Sequence, residues 1–314
     1  MAFKNVVLIG GGVLGSQIAY QTAYAGFNVI TYLRSEASIE RTKPKVDRLH
    51  SIYVSELKAA KEHGGAVSRG LVFNEKDMSK VDFDALIKKA DDAYKNMQYE
   101  TDLAKAVKDA DLIIEALAED PKMKTEFYAK MKDLLPEKTI IATNSSTLLP
   151  SMLAASTGRP EKFLALHFAN DIWRGNTAEV MGHSGTDKKA YDAVADFAVE
   201  IGMIPLKLKK EKAGYILNSM LVPFLSSAQA LLADGISDVE TIDKTWMLAT
   251  GAPLGPFRIL DVVGITTAYN IVSMSPGADD VSTTQGRIAK LLKEEYIDKG
   301  KLGISTGEGF YKYK

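Results

Sequence analysis

The chain of 314 residues contains no cysteine, four histidines and two tryptophans. The missing thiols exclude disulfides, thiolate nucleophiles and zinc–thiolate centres. The histidines, His50, His63, His167 and His183, are scattered and give no ligand cluster, so no metal is expected. An excess of one charge is lacking too: 39 Lys and Arg face 40 Asp and Glu, for a net charge of −1. That balance offers nothing for nucleic acid or an anionic membrane surface. Nor does any uncharged apolar run reach the length of a bilayer span. The longest, YILNSMLVPFLSSAQALLA from Tyr215, is interrupted by Asn, Ser, Pro and Gln and reads as a buried helix. The apolar run at the start, Val6 to Ile9, is too short for a signal peptide, so a soluble cytoplasmic protein is expected. What is present suffices for a sizeable core, with 46% apolar and 25% charged residues, and the length suits two domains.

The hydrophobic pattern divides the chain into an α/β half and a helical half. Short strands are predicted at 6–9, 29–33, 111–117, 139–142 and 163–167, with helices at 15–25, 36–63, 84–97, 122–134 and 188–201. Pro44 is a possible irregularity in the second helix. Repeated strand–helix spacing predicts a mostly parallel sheet with helices on both faces. After that the strand signal fades. Helices are predicted at 215–233, bent near Pro223, from a capping box of Ser237 and Glu240 to about Ala249, and over 261–273 and 285–297. The expected organisation is a Rossmann-like dinucleotide-binding domain over 1–205 and an all-helical domain over 206–314.

Gly10, Gly12 and Gly15, with Val13 and Leu14 between the last two, form G-x-G-x-x-G between the first strand and the first helix. The first glycine permits the tight turn, the second lets a pyrophosphate approach the backbone, and the third lets the helix sit close to the sheet. The pyrophosphate would rest on the helix N-terminus. An acid normally ends the second strand and binds the ribose hydroxyls of NAD. Here that position is Leu33, followed by Arg34 and Ser35. An arginine and a hydroxyl suit a 2'-phosphate, which leans the choice between NAD and NADP towards NADP; alternatively, Arg34 stacks on adenine and does not choose.

His167 ends the strand FLALH, where a ligand of a parallel sheet sits, and can act as acid or base near neutral pH. Glu179 follows in NTAEVM. If DIWRGNT turns back, the two can pair, and the carboxylate would fix the imidazole tautomer. Ser145 and Ser146 follow another strand end, and Asn170 lies just beyond the histidine. Asn218 is an amide inside an apolar helix, which is costly unless bonded.

The ordered set IGGGVLGSQIA, EALAEDPKMK, TNSSTL, LHFAN, GYILNSM, GAPLGPF with Asp261, and TGEGFYKYK resembles the 3-hydroxyacyl-CoA dehydrogenase family over nearly the whole chain. The resemblance implies a homodimer and a hydride exchange between NAD(P) and a small-molecule substrate, (S)-3-hydroxyacyl-CoA or its 3-oxo form, short-chain such as 3-hydroxybutyryl-CoA. It implies His167 as the catalytic histidine and Glu179 as its partner. Ser146 and Asn218 would contact the substrate oxygens, and Asn170, Glu119 and Lys124 the cofactor. Departures motivate an alternative to that main reading, a dehydrogenase of a free 3-hydroxy acid or sugar acid. Where the family writes HFFNPVPVMKLVEV, this chain has HFANDIWRGNTAEV; Trp173 and Arg174 are expected to border the substrate, shortening an acyl pocket or holding a carboxylate. Leu33 replaces the cofactor acid, and Ser305 stands where the tail usually carries lysine. The segment 64–83 also departs, leaving Arg69, Lys76 and Lys80 as the basic groups available for CoA phosphates.

Overall fold

The computed structural model describes residues 3–73 and 77–313; Lys76 lies outside them. The chain forms two compact units, Met1–Ile216 and Leu217–Lys314. In the first, β1 (Asn5–Ile9), α1 (Val13–Tyr24), β2 (Asn28–Tyr32), α2 (Glu36–His63), α3 (Phe83–Lys95), β3 (Gln98–Glu100), α4 (Leu103–Val107), β4 (Leu112–Glu115), α5 (Pro121–Met131), β5 (Ile140–Thr143), α6 (Pro150–Leu153), β6 (Phe163–Phe168), β7 (Thr177–Met181), α7 (Lys188–Glu200) and β8 (Ile204–Lys207) follow one another. They build one eight-stranded sheet of order β3-β2-β1-β4-β5-β6-β7-β8. Order reverses between β1 and β4, so the crevice for a ligand opens at the carboxyl ends of these strands.

The side-chain alternation of strands feeds two cores. Val6, Leu8, Leu112, Ile114, Leu164 and Leu166 pack on one face, with α1 and α7. Val7, Ile9, Ile113, Ile141 and Phe163 pack on the other, with α4 and α5. This period of two is why central strands buried on both sides read as unbroken Val/Ile/Leu runs.

Three strands escape the sequence pattern. β3 is three residues long. β7 and β8 extend the sheet beyond β6, and β8 straddles the boundary expected at 205/206. The ladder is mostly parallel, as expected, and β6 and β7 are the pair that runs antiparallel. The link of residues 169–176 is too short for a helical crossover, so the chain must turn straight back. Asp171 makes that turn in the left-handed region, at φ 56, and its carbonyl accepts from the N–H groups of Arg174 and Gly175. Gln17 of α1 fastens the turn by accepting from the N–H of Asp171 at 2.9 Å.

The second unit comprises α8 (Leu217–Ala233), α9 (Val239–Thr250), α10 (Pro256–Val263), α11 (Ile265–Ser273) and α12 (Thr284–Leu291). The helix expected over 261–273 is broken at Gly264, whose φ of 93 ends α10 and starts α11. Ser237 does not cap α9 as expected; Asp238 does, accepting from Thr241 N–H at 2.8 Å. Two buried carboxylates knit the unit's own tail to its helices. Asp261 accepts from the N–H groups of Phe310 and Tyr311 and from the Tyr313 hydroxyl, and Asp243 from the Tyr311 hydroxyl. The terminal aromatic stripe is therefore a structural clasp, and Gly309 is required because a Cβ there would meet Asp261 Oδ1 at 2.0 Å.

Candidate active site

The site of the first unit begins at the glycine turn. Gly10 has φ 106, and a side chain there would strike the Ala116 carbonyl at 2.7 Å. A Cβ at Gly15 would lie 2.4 Å from the Gly10 carbonyl oxygen. Gly12 differs: its backbone is one any residue adopts, at φ −65, and its Cβ would enter open space. Gly12 also begins α1 without a side-chain cap, and the first turn carries no acid. Val13 is 62% exposed. Free N–H groups facing an open, carboxylate-free cradle suit a pyrophosphate, so the residues present fit a dinucleotide. Gly12→Ala is expected to fold normally and lose dinucleotide affinity by at least about tenfold, because its methyl fills the cradle. Gly15→Ala is expected to cost about 1–3 kcal/mol of stability, from overpacking against Gly10. Melting midpoints and a fluorescence titration of each variant separate the two; a Gly12→Ala protein that binds as well as the parent would remove the cradle reading.

Ile9, Thr143 and Phe168 mark the ends of three strands around the site. The β6–β7 register sets His167 directly opposite Glu179, and opposed residues of an antiparallel pair project to the same face. His167 Nδ1 lies 3.1 Å from Glu179 Oε2, and both side chains are buried. Glu179 Oε1 accepts from the N–H of Ile216 at 2.9 Å. The other ring nitrogen, Nε2, stands 3.1 Å from Ser146 Oγ. One imidazole is thus held between a carboxylate and a hydroxyl. Tyr215 lies parallel to the imidazole, with ring centroids 4.3 Å apart, and donates its hydroxyl to the Ser145 carbonyl at 2.6 Å. Burial keeps this phenol protonated, well above its ordinary range. The motif GYILNSM contains Tyr215 but gives it no role; in the structure it adopts φ 52, rare for a residue other than glycine.

The turn bearing Ser146 is held from below. Glu119 accepts from Ser145 Oγ, Thr147 N–H and Thr147 Oγ1. Partial burial alone would raise its carboxyl, but these bonds and the Lys124 charge hold it below the usual value. Lys124 does not reach outward. Its side chain is 1% exposed, with Nζ 2.6 Å from Glu115 Oε1 and 3.6 Å from Glu119 Oε2. Glu115 in turn accepts from Tyr128 and Thr143 through Oε2. A hydrogen-bonded cluster of one ammonium and two carboxylates therefore anchors β4, α5 and β5 beneath the TNSST turn.

The loop after His167 also differs from expectation. Trp173 does not border an open pocket; it is 2% exposed and packs with Tyr53, Tyr20 and Leu71. Gly70 donates its N–H to the Trp173 carbonyl at 2.8 Å and has no room for a side chain there. Arg174 is exposed, over the Trp173 ring and 4.0 Å from Asp171. Asn170 is exposed at the end of β6. Asn218 belongs to the second unit, near the start of α8. At the end of β2, Leu33 is buried against Gly11 while Arg34 is exposed. Ser35 is engaged as the cap of α2, accepting from Ser38 N–H at 3.3 Å. Among the other histidines, His50 pairs with Asp91 at 2.8 Å and stacks on Tyr94, and His183 bonds the Pro160 carbonyl.

The model of 3-hydroxyacyl-CoA dehydrogenase, NAD binding domain, matches residues 5–211, and that of the 3-hydroxyacyl-CoA dehydrogenase C-terminal domain matches residues 214–313. The chain belongs to the 3-hydroxyacyl-CoA dehydrogenase family. It is an NAD(P)-dependent oxidoreductase of that fold, with a buried His–Glu pair. It is 31% identical to the mitochondrial hydroxyacyl-coenzyme A dehydrogenase of Homo sapiens over 99% of this chain and 91% of that protein. Among solved structures, a diketoreductase that acts on dicarbonyl compounds is 51% identical, with a TM-score of 0.85 and full coverage of both chains. The (S)-3-hydroxybutyryl-CoA dehydrogenase of Ralstonia eutropha is 25% identical, with a TM-score of 0.75 and full coverage of both. The expected cytoplasmic location is overturned by the named relatives: the human, pig, rat and mouse proteins of this family that match 99% of the chain are mitochondrial.

Proposed function

We propose that this dehydrogenase interconverts a 3-hydroxy compound and its 3-oxo counterpart as free molecules, dicarbonyl compounds included, rather than as CoA thioesters. The observation that carries this reading is the 51% identity, end to end, with a diketoreductase, against 25–31% with the acyl-CoA enzymes cited above. The segment 171–177 departs from the family's pattern, though it brings neither Trp173 nor Arg174 to a substrate pocket. Its Trp173 is a buried anchor, and its Arg174 sits at the surface, so the family's proline-rich wall is replaced by a short turn clasped to Gln17 and Gly70. One of the basic groups available for CoA phosphates, Lys80, faces Asp77 at 3.4 Å.

The chemistry follows from the imidazole. A carboxylate at Nδ1 favours the tautomer protonated there, leaving the Nε2 lone pair towards Ser146 and the reacting oxygen. In oxidation Nε2 takes the hydroxyl proton; in reduction the imidazolium returns it to the carbonyl oxygen as charge builds there. Glu179 stabilises that cation, with the Tyr215 ring stacked on the imidazole. Ser146 orients the oxygen. Gly10, Gly12, Val13, Leu14 and Gly15 would hold the pyrophosphate, and Asn170 would lie beside the nicotinamide, which supplies or accepts the hydride when bound. Glu119 and Lys124 act by fixing the Ser146 turn.

The test follows nicotinamide absorbance with acetylacetone, acetoacetate and acetoacetyl-CoA, each with NADH and NADPH. A free dicarbonyl is expected to exceed the thioester in kcat/KM by at least about tenfold, a margin that differential pocket contacts readily supply. A thioester preferred by the same margin would assign the chain to acyl-CoA chemistry instead.

A further inference from the structure

We infer that the adenosine end of the cofactor site is built for a 2'-phosphate, so that this chain selects NADPH through Arg34 and Arg41. The ribose of a bound dinucleotide lies at the end of β2, where a carboxylate would pair with the 2'- and 3'-hydroxyls and repel a phosphate. No acid occupies that place. Leu33 fills it and turns inward, 4% exposed, its Cδ2 packed so closely on Gly11 that a side chain there would clash at 2.8 Å. The next residue outward is Arg34, exposed at the surface.

A second cation comes from α2. Thr42 donates its hydroxyl to the Gly11 carbonyl at 3.2 Å, so the face of α2 that carries Ser38 and Thr42 is seated on the glycine turn. Arg41 lies on the adjoining strip, and its Nη2 donates to Ser38 Oγ at 2.9 Å. Ser38 Oγ is in turn 3.1 Å from Ser35 Oγ. One guanidinium group and two hydroxyls thus gather around the start of α2, and Arg34 immediately precedes its Ser35 cap.

Two of the neighbouring carboxylates, Glu40 and Glu100, are engaged elsewhere. Glu40 bonds Lys43 at 2.8 Å, and Glu36 also lies in the field of Lys43. Glu100, at the end of the neighbouring β3, turns back to accept from the N–H groups of Thr101 and Asp102. Among the described residues neither Arg34 nor Arg41 is ion-paired with a carboxylate, which leaves both forks to an incoming phosphate.

The inference concerns the cofactor alone, and a binding experiment without substrate tests it independently of the reaction proposed above. Calorimetric titration compares adenosine 2',5'-bisphosphate with 5'-AMP, which differ only in the 2'-phosphate. The parent protein is expected to bind the bisphosphate at least about tenfold more tightly, as charge-assisted arginine–phosphate bonds require. Arg34→Ala with Arg41→Ala should bring the two affinities within about twofold, with an unchanged melting midpoint reporting an intact fold. Leu33→Asp should reverse the order. Equal binding of both nucleotides by the parent, or a preference that survives in the double variant, would overturn the proposal.

Discussion

His167→Gln is expected to lower turnover by about 10²- to 10⁴-fold, the range over which a positioned acid–base group contributes. Glutamine keeps a polar, roughly isosteric group between Glu179 and Ser146 but has no proton to exchange near neutral pH. Dinucleotide affinity should stay within about twofold, because the glycine turn belongs to β1 and α1 and shares no hydrogen bond with the imidazole. Steady-state rates in both directions, with a fluorescence titration of the cofactor, check the two halves of the expectation. Turnover near that of the parent would remove His167 from the chemistry. A large loss of cofactor affinity would show the variant to be misfolded around β6 rather than chemically silent.

Glu179→Gln is expected to cost about as much, in the range of 10²- to 10⁴-fold, as a wrong tautomer does in a hydrolase triad. The reason is specific to this geometry. Glu179 uses both oxygens, Oε1 towards Ile216 N–H at 2.9 Å and Oε2 towards His167 Nδ1 at 3.1 Å. A glutamine that keeps its oxygen on Ile216 N–H must point its amide NH₂ at Nδ1. That interaction pushes the imidazole proton onto Nε2, where it blocks proton uptake from a hydroxyl. The opposite flip sets the NH₂ against the Ile216 N–H. Glu179→Asp retains the charge with a shorter reach and should lose less. Comparing kcat for the two variants checks the argument: a Gln variant as active as the Asp variant would show that charge and tautomer at Nδ1 are immaterial.

The two substitutions depend on different levels of information. The local signals are strong where a short pattern has a single physical solution. G-x-G-x-x-G after a four-residue apolar run leaves room only for a strand, a tight turn and a close-packed helix, and the structure has β1, the turn and α1 there. The capping and periodicity of 36–63 carry α2 straight through the exposed Pro44. Missing cysteine, few histidines and balanced charge likewise follow from composition, with no folding required.

Signals that depend on long-range pairing are silent in one dimension. β7 and β8 are weak strands with polar or proline residues, TAEVM and IPLK, and gain their ladders only from the neighbour each finds. Trp173 reads as a packing residue by type and as a substrate-bordering one by its loop, and the indole packs into the aromatic cluster around Tyr53. The family resemblance implies Lys124 as a cofactor contact, and only the fold shows that β4 supplies Glu115 as its buried partner.

Residue types and spacing alone therefore fixed the dinucleotide turn, the α/β-then-helical order, and the presence of one histidine and one glutamate twelve positions apart. The antiparallel return of β7, with Asp171 in a left-handed turn fastened by Gln17, made those two an opposed pair, and Tyr215 closed over the imidazole. Pairing of that kind depends on register, and register is set by contacts between segments far apart in the chain, which no local pattern of residues encodes.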